Sequence, residues 1–195
     1  MIALLPVFFP VLTGLYMLKA QIKDRKSREK YVVTPLAVTL VLTLITNFGF
    51  AGTQLTFAKF AGGIEISFDI DSIAVLFGTI FASIWLLVGI FSLEYMKHEG
   101  KMQKFFAFYL MTFGVTVGLA FSANMLTMYL CYEALTFITL PLVTHSMDKR
   151  AEYAGKKYLI YSVGGASLSF VGMMLMMFYN GSIEFSYGGV VRSVC

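Results

Sequence analysis

Apolar windows of about 20 residues alternate along this chain with short polar breaks. A hydrocarbon layer of about 30 Å needs roughly that many residues at a helical rise of about 1.5 Å each. The pattern therefore predicts an all-α polytopic membrane protein with about six transmembrane helices. They fall at Ile2–Leu18, Tyr31–Phe50, Ser72–Leu93, Phe105–Phe121, Asn124–His145 and Tyr158–Tyr179. The first is short, and Pro6 and Pro10 weaken its early turns. The breaks differ in kind. Lys19–Lys30 and Ser146–Lys157 are basic, as is the break holding Lys97, Lys101 and Lys104. Ala51–Asp71 carries Glu65, Asp69, Asp71 and the pair Gly62-Gly63, and reads as an extracytoplasmic loop with a short hairpin. Ser122–Asn124 reads as a tight turn, and Asn180–Cys195 as a Gly- and Ser-rich tail.

Composition removes the soluble classes: 58% of the 195 residues are hydrophobic and 13% charged. The net charge of +4 does not signal nucleic acid, because the basic residues sit in the breaks, where they report topology. Thirteen of the fifteen lysines and arginines follow spans one, three and five, and only Lys59 and Arg192 lie on the other side. The positive-inside rule then places those three loops in the cytoplasm and both termini outside; the expected location is a cell's plasma (inner) membrane. The apolar opening, without a basic leader or small-residue cleavage site, predicts a retained first span. Cys131 lies inside span five and Cys195 at the end, with no Cys/His cluster, so no metal site or cofactor of this chain's own is expected.

Small residues mark expected helix contacts. Gly114 and Gly118 form a GxxxG in span four, and Ser162, Gly165, Ser169 and Gly172 share a face of span six. Such stripes let backbones approach closely in lipid, and packing inside the chain is the expected use here.

The candidate chemistry centres on span five, NMLTMYLCYEALTFITLPLVTH, which carries one carboxylate, Glu133, near its middle. A bare carboxylate at that depth costs at least about 2.5 kcal/mol. It persists only when protonated, paired or facing water, and each condition suits a proton or ion relay. Tyr129, Thr136 and Phe137 share its face at −4, +3 and +4, so two hydroxyls stand ready to hold the carboxyl or a water. A carboxyl kept neutral by a helix-to-helix hydrogen bond is the bland alternative. Pro141, two turns on, frees a carbonyl near Phe137, giving either a water-admitting break or a simple packing kink. His145 ends the helix, either to exchange protons with water or to cap the last carbonyls. His98 reads as solvated. Lys156 and Lys157 open span six, where lysine either snorkels to headgroups or pairs a carboxylate within the bundle. Glu94 either pairs with Lys97 or lines an entry path. The Met173, Met174, Met176 and Met177 cluster reads as packing, not as a metal site.

Residues 132–165, YEALTFITLPLVTHSMDKRAEYAGKKYLIYSVGG, resemble the proton-conducting antiporter-like membrane subunits. That family comprises large membrane subunits of respiratory complex I (NADH–quinone oxidoreductase), of membrane-bound hydrogenases and of multisubunit Na⁺/H⁺ antiporters. Tyr132-Glu133, the Thr-Leu-Pro-Leu-Val run with His145, and the Gly-Lys-Lys-Tyr-Leu run from Gly155 look most like the D-type antiporter polypeptide and the hydrogenase branch. Upstream, SFDIDSIAVLF at 67–77 resembles the family's lead into its third helix.

The resemblance implies a fourteen-helix fold built from two inverted five-helix repeats. In it the fifth-helix glutamate, here Glu133, pairs with a lysine on a broken seventh helix, and protons then pass along central lysines and histidines. Lys157 keeps its place in the lysine run. No Lys-Met-Pro-type segment follows, so the chain reads as a truncated, N-terminal part of such a subunit. Residues 1–121 would be helices one to four, 122–179 the start of the translocating domain, and 180–195 a truncated tail ending VVRSVC. The implied function is proton or Na⁺/H⁺ translocation within a multisubunit membrane complex. Its partners would be the bilayer, other membrane subunits, H⁺ and Na⁺, and any redox chemistry would belong to partner chains. A structural or inactive membrane module, with Glu133 silent, is the alternative. An independent secondary transporter fits less well, since alternating access uses two repeat halves.

Overall fold

The computed structural model describes residues 2–20, 24–60, 64–96, 102–146 and 148–185, without the side chains of residues 25 and 26. Lys23, Gly62-Gly63, Lys97, His98, Lys101, Arg192 and Cys195, and the tail beyond 185, lie outside the described residues. The helices are α1 (Leu5–Lys19, after a 3₁₀ turn at Ile2–Leu4), α2 (Arg25–Gly49), α3 (Ser72–Tyr95), α4 (Met102–Ala120), α5 (Met125–Val143) and α6 (Lys149–Asn180). Strands β1 (Gln54–Lys59) and β2 (Glu65–Asp69) form the hairpin between α2 and α3. All six helices are long and apolar enough to cross a membrane, as the hydropathy pattern predicts.

Four helices start on the same device. The side chains of Asp24, Asp71, Asn124 and Asp148 accept from the backbone N–H three residues on, at Ser27, Ala74, Thr127 and Ala151. Each satisfies a donor that a helix N-terminus would otherwise leave unpaired. Asp148 corrects one expectation. The residues read as a basic break at 146–157 are mostly helix, because the cap starts α6 at Lys149, nine residues before Tyr158. At 32 residues α6 is about 48 Å long, so its charged first turns project beyond a hydrocarbon layer of about 30 Å.

The core is built around α4, whose Phe106, Leu110, Phe113 and Val117 are wholly buried. It packs against α1, α3 and α5 and touches α2. Glycine brings α1 and α4 together. A Cβ on Gly114 would strike the Val7 carbonyl oxygen, and one on Gly14 would come within 2.5 Å of the Ala107 carbonyl oxygen. The GxxxG of span four is therefore an intrachain contact, and Gly118 completes it against Val7 and Cys131. At the basic end, Gln103 of α4 donates to the carbonyls of Met17 (2.6 Å) and Ala20, capping α1. Trp85 and Tyr109 join α3 to α4, the tyrosine hydroxyl donating to the Trp85 carbonyl at 2.7 Å.

The small-residue face of α6 behaves otherwise. α6 packs on α5, burying Ala151, Gly155, Ala166 and Met173. A Cβ on Gly164, Gly165 or Gly172 would meet nothing within 4 Å. The Ser162–Gly172 stripe makes no close helix contact within this chain, because its neighbour on α5 lies on an adjacent face.

At the opposite end the hairpin becomes a lid over the loop between α4 and α5. β1 and β2 pair antiparallel from Gln54↔Asp69 to Lys59↔Glu65. Residues 121–123 then extend β2: Asp69 N–H donates to the Phe121 carbonyl (2.8 Å) and Ala123 N–H to the Ser67 carbonyl (3.0 Å). The turn expected at Ser122–Asn124 is thus also a pairing strip.

Candidate functional site

Glu133 is the ninth residue of the nineteen in α5, about 12 Å along the axis from Met125 and about 15 Å from Val143. It is partly exposed, one turn after Tyr129, which packs on Phe170 of α6. The register of the two helices follows from three contacts. The Thr144 methyl lies where a Gly155 Cβ would point. The Thr139 hydroxyl and the Tyr158 hydroxyl are 2.6 Å apart. The Tyr129 and Phe170 rings have centroids 5.5 Å apart. Antiparallel packing in that register sets Glu133 level with residues 164–166, of which Ala166 is buried while Gly164 and Gly165 are exposed and border open space.

The Tyr129 hydroxyl, one turn earlier, faces the Glu133 carboxylate closely enough to interact with it. Thr136 does not share that role, because its hydroxyl donates to the Tyr132 carbonyl at 3.1 Å. Phe137 turns outward and is 56% exposed. Beside Tyr129 an open pocket of about 280 Å³ lies between α4, α5 and α6, lined by Met128, Tyr132, Ser169 and Met173 among others. Towards the basic end the seam between α5 and α6 stays polar, through Thr136 and the Thr139–Tyr158 pair.

The other candidates sit apart from Glu133. Lys157 is exposed, with its Nζ 4.8 Å from the centre of the Tyr153 ring. The register sets it near the level of Pro141, eight residues or about 12 Å from Glu133 along the axis. Among the described residues, no ion pair joins it to Glu133. His145 lies edge-on to Phe105, ring centroids 5.4 Å apart, and its backbone N–H donates to the Leu142 carbonyl at 3.3 Å. Pro141 lies in the last turn of α5, which continues as helix to Val143. Lys156 and Glu94 are exposed.

Two arrangements were not among the sequence expectations. One is the Thr139–Tyr158 bond. The other is a fully buried polar knot where the hairpin meets α5. Asn124 Nδ2 donates to the Glu65 carbonyl and to Ser67 Oγ, both at 2.8 Å. Its Oδ1 accepts from the Thr127 N–H (2.8 Å) and hydroxyl (2.9 Å), and the Ser67 N–H donates to Thr127 Oγ1 at 3.0 Å. Asn-x-x-Thr ahead of an apolar run is the readable half of that signal.

Two family descriptions match this chain. Residues 59–106 match the N-terminus of chain 5 of NADH-ubiquinone oxidoreductase (complex I). Residues 122–189 match the transmembrane region of NADH:quinone oxidoreductase and Mrp antiporters. The Na⁺/H⁺ antiporter subunit A1 of Staphylococcus haemolyticus is 28% identical over 151 residues, covering 74% of this chain and 19% of that protein. The subunit A1 of Staphylococcus aureus is 24% identical over 163 residues, covering 80% and 20% respectively. The chain thus spans about a fifth of the length of these curated relatives. They are A-type polypeptides, whereas the motif pattern looks most like the D-type. Among solved structures, a chain of the membrane-bound sulfane sulfur reductase, an archaeal respiratory membrane complex, superposes with a TM-score of 0.76 at 17% identity. That match covers 93% of this chain and 38% of the other, and speaks to the fold alone.

Proposed function

Because this chain belongs to the antiporter-like membrane-subunit family of NADH:quinone oxidoreductases and Mrp antiporters, we propose that it helps to move protons, or Na⁺ against protons, with Glu133 as the protonation switch. The observation that carries this reading is a partly exposed carboxylate at mid-span with one tyrosine hydroxyl beside it. A carboxylate so placed changes charge when a cation or a proton is offered to it, and an intramembrane carboxylate is functional by default. Tyr129 orients it, and the polar seam through Thr136, Thr139 and Tyr158 gives protons a direction towards the basic end. His145 would exchange protons with water there, and Lys157, about 12 Å away, would act at that end of the seam without pairing with Glu133.

The basic ends of α1, α2, α5 and α6 lie on the cytoplasmic side in this reading, with the hairpin and both termini outside, as the lysine and arginine distribution requires. The opposite charge that drives Glu133 comes from another membrane subunit or from family helices outside these residues. H⁺ and Na⁺ are the transported ions, and partner chains carry any redox step.

The test uses the chain in proteoliposomes with a pH-sensitive dye inside, alone and co-assembled with its complex, wild type against Glu133→Gln. Glu133-dependent proton flux under an imposed potential supports the switch. A well-assembled Gln variant that pumps normally removes Glu133 from the mechanism and favours a structural module.

A further inference from the structure

The proposed switch lies between α5 and α6 and leaves the other side of the bundle unused. There, towards the basic end, α1 and α2 part around a groove of about 430 Å³, within the range of small-molecule sites. Tyr16 and Met17 line it from α1, and Tyr31, Thr34 and Pro35 from α2, with Lys30 in the lining. The Tyr16 and Tyr31 rings stand 6.5 Å apart, and both are about half exposed. Lys19 follows Tyr16 by three residues, on the same helical face. The result is an apolar slot with two tyrosines and two ammonium groups at the end where the basic residues gather. Tyrosine rings and snorkelling lysines both belong at the headgroup level.

Pro35 adds a further feature. It has no N–H, so the Tyr31 carbonyl lacks its intrahelical donor four residues on. That acceptor belongs to a residue of the groove. In the sequence, residues 19–30 hold six cations against two carboxylates, Asp24 and Glu29. A ligand that suits all of this is apolar along its length, anionic at its head and able to donate a hydrogen bond. We propose that the α1–α2 groove binds an anionic glycerophospholipid with a hydroxyl-bearing headgroup, its acyl chain against Met17, Thr34 and Pro35 and its phosphate on Lys30 and Lys19. The site is independent of the transport role of Glu133.

The experiment is native mass spectrometry of the chain in detergent, with phosphatidylglycerol or phosphatidylcholine of identical acyl chains. The wild type should retain phosphatidylglycerol about tenfold better, and 0.5 M salt should weaken the preference, since it screens charges beyond a few ångströms. Lys19→Gln with Lys30→Gln should bring retention of the two lipids together, while Lys59→Gln, at the hairpin end, should leave the preference intact. Thr34→Trp, which fills the slot, should lower retention of both. Should the double variant not fold, Lys30→Gln alone and the salt series on the wild type carry the test. Equal retention of the two lipids by the wild type overturns the proposal. So does a preference that does not weaken at high salt, or a groove closed by a second copy of the chain.

Discussion

Thr139 on α5 and Tyr158 on α6 share a hydrogen bond of 2.6 Å across the helix interface. With Gly155 under the Thr144 methyl and Phe170 against Tyr129, it fixes how the two helices slide past each other. In that register Glu133 lies level with Gly164–Gly165, and Lys157 is about 12 Å away along the axis. Groups further apart than about 7–10 Å and without shared partners have additive effects to within about 0.5 kcal/mol. A double-mutant cycle of Glu133→Gln and Lys157→Gln, read as transport rate in the assembled complex, should therefore be additive within that margin. A coupling of several kcal/mol would mean that the two side chains meet during the cycle and that α6 moves along α5.

The same bond makes Tyr158 a register residue. Tyr158→Phe removes a hydroxyl that is only partly buried, and the expected loss is about 1 kcal/mol, the usual net value of one hydrogen bond. Thermal unfolding of the purified chain in detergent measures it. A larger loss, matched by Thr139→Val, would show that the pair anchors α6 rather than merely aligning it.

Glycines of similar sequence context should respond oppositely to alanine. At position 114 the new Cβ would strike the Val7 carbonyl and lie 2.7 Å from Val11 Cγ2. Both obstacles belong to α1, so Gly114→Ala must push the helices apart, at an expected cost of about 1–3 kcal/mol. At position 164 nothing lies within 4 Å. There alanine should be neutral or stabilising by up to about 1 kcal/mol, because glycine is the poorer helix former. Melting temperatures of the two variants decide the matter, and a destabilised Gly164→Ala would reveal a partner covering that face in the sample.

This contrast marks what the sequence could and could not tell. Hydropathy located all six spans, because each must bury its backbone polar groups in a helix of membrane length. It placed the start of α6 late. Lys149, Arg150, Lys156 and Lys157 depress the apolar average, although Asp148 had already capped the helix there. Small-residue spacing foretold close approach at Gly114 and Gly118 but not for the α6 stripe. Spacing shows which face can pack closely, not whether this chain supplies the neighbour. Glu133 stood out because one carboxylate in an apolar run is conspicuous, and Tyr129 followed from helical spacing. The polar knot of Ser67, Asn124 and Thr127 did not, since its members are joined across 57 and 60 residues and no local periodicity links them.

That knot gives the next expectation. Asn124 is 1% exposed and makes four hydrogen bonds, two along α5 and two to the hairpin. Losing an N-cap side chain costs about 1 kcal/mol, and each buried group left unpaired costs about 1–3 kcal/mol more. Asn124→Ala should lose about 2–4 kcal/mol and, more specifically, should free the hairpin from α5. Asp caps a helix as well as Asn but cannot donate to the Glu65 carbonyl and Ser67 Oγ. Asn124→Asp should therefore keep α5 helical while the amides of 65–69 lose protection from hydrogen exchange. Unchanged protection in both variants would show that the hairpin is held by its backbone pairing alone.

The hairpin end should also respond to pH. Asp69 closes β2, and burial, reinforced by the negative charge of Asp71, holds its carboxyl above the ordinary 3.8, against a smaller opposing effect of the Ile70 backbone hydrogen bond. Asp71 is committed to capping α3 through the Ala74 N–H at 2.7 Å, so its carboxylate stays in place. Between the unfolded and folded values of Asp69 the folded chain binds more protons than the unfolded one, so stability falls as pH rises through that window. The penalty is absent at pH 3, where Asp69 is protonated in both states, and complete once the folded group has ionised. Asp69→Asn removes it. The variant should therefore melt together with the wild type near pH 3 and gain on it from about pH 4 upward, with the difference levelling off once the folded Asp69 has ionised. Thermal scans in detergent from pH 3 to 8 provide the comparison. A variant less stable than the wild type at neutral pH would mean that the ionised Asp69 is held by a favourable partner that outweighs Asp71.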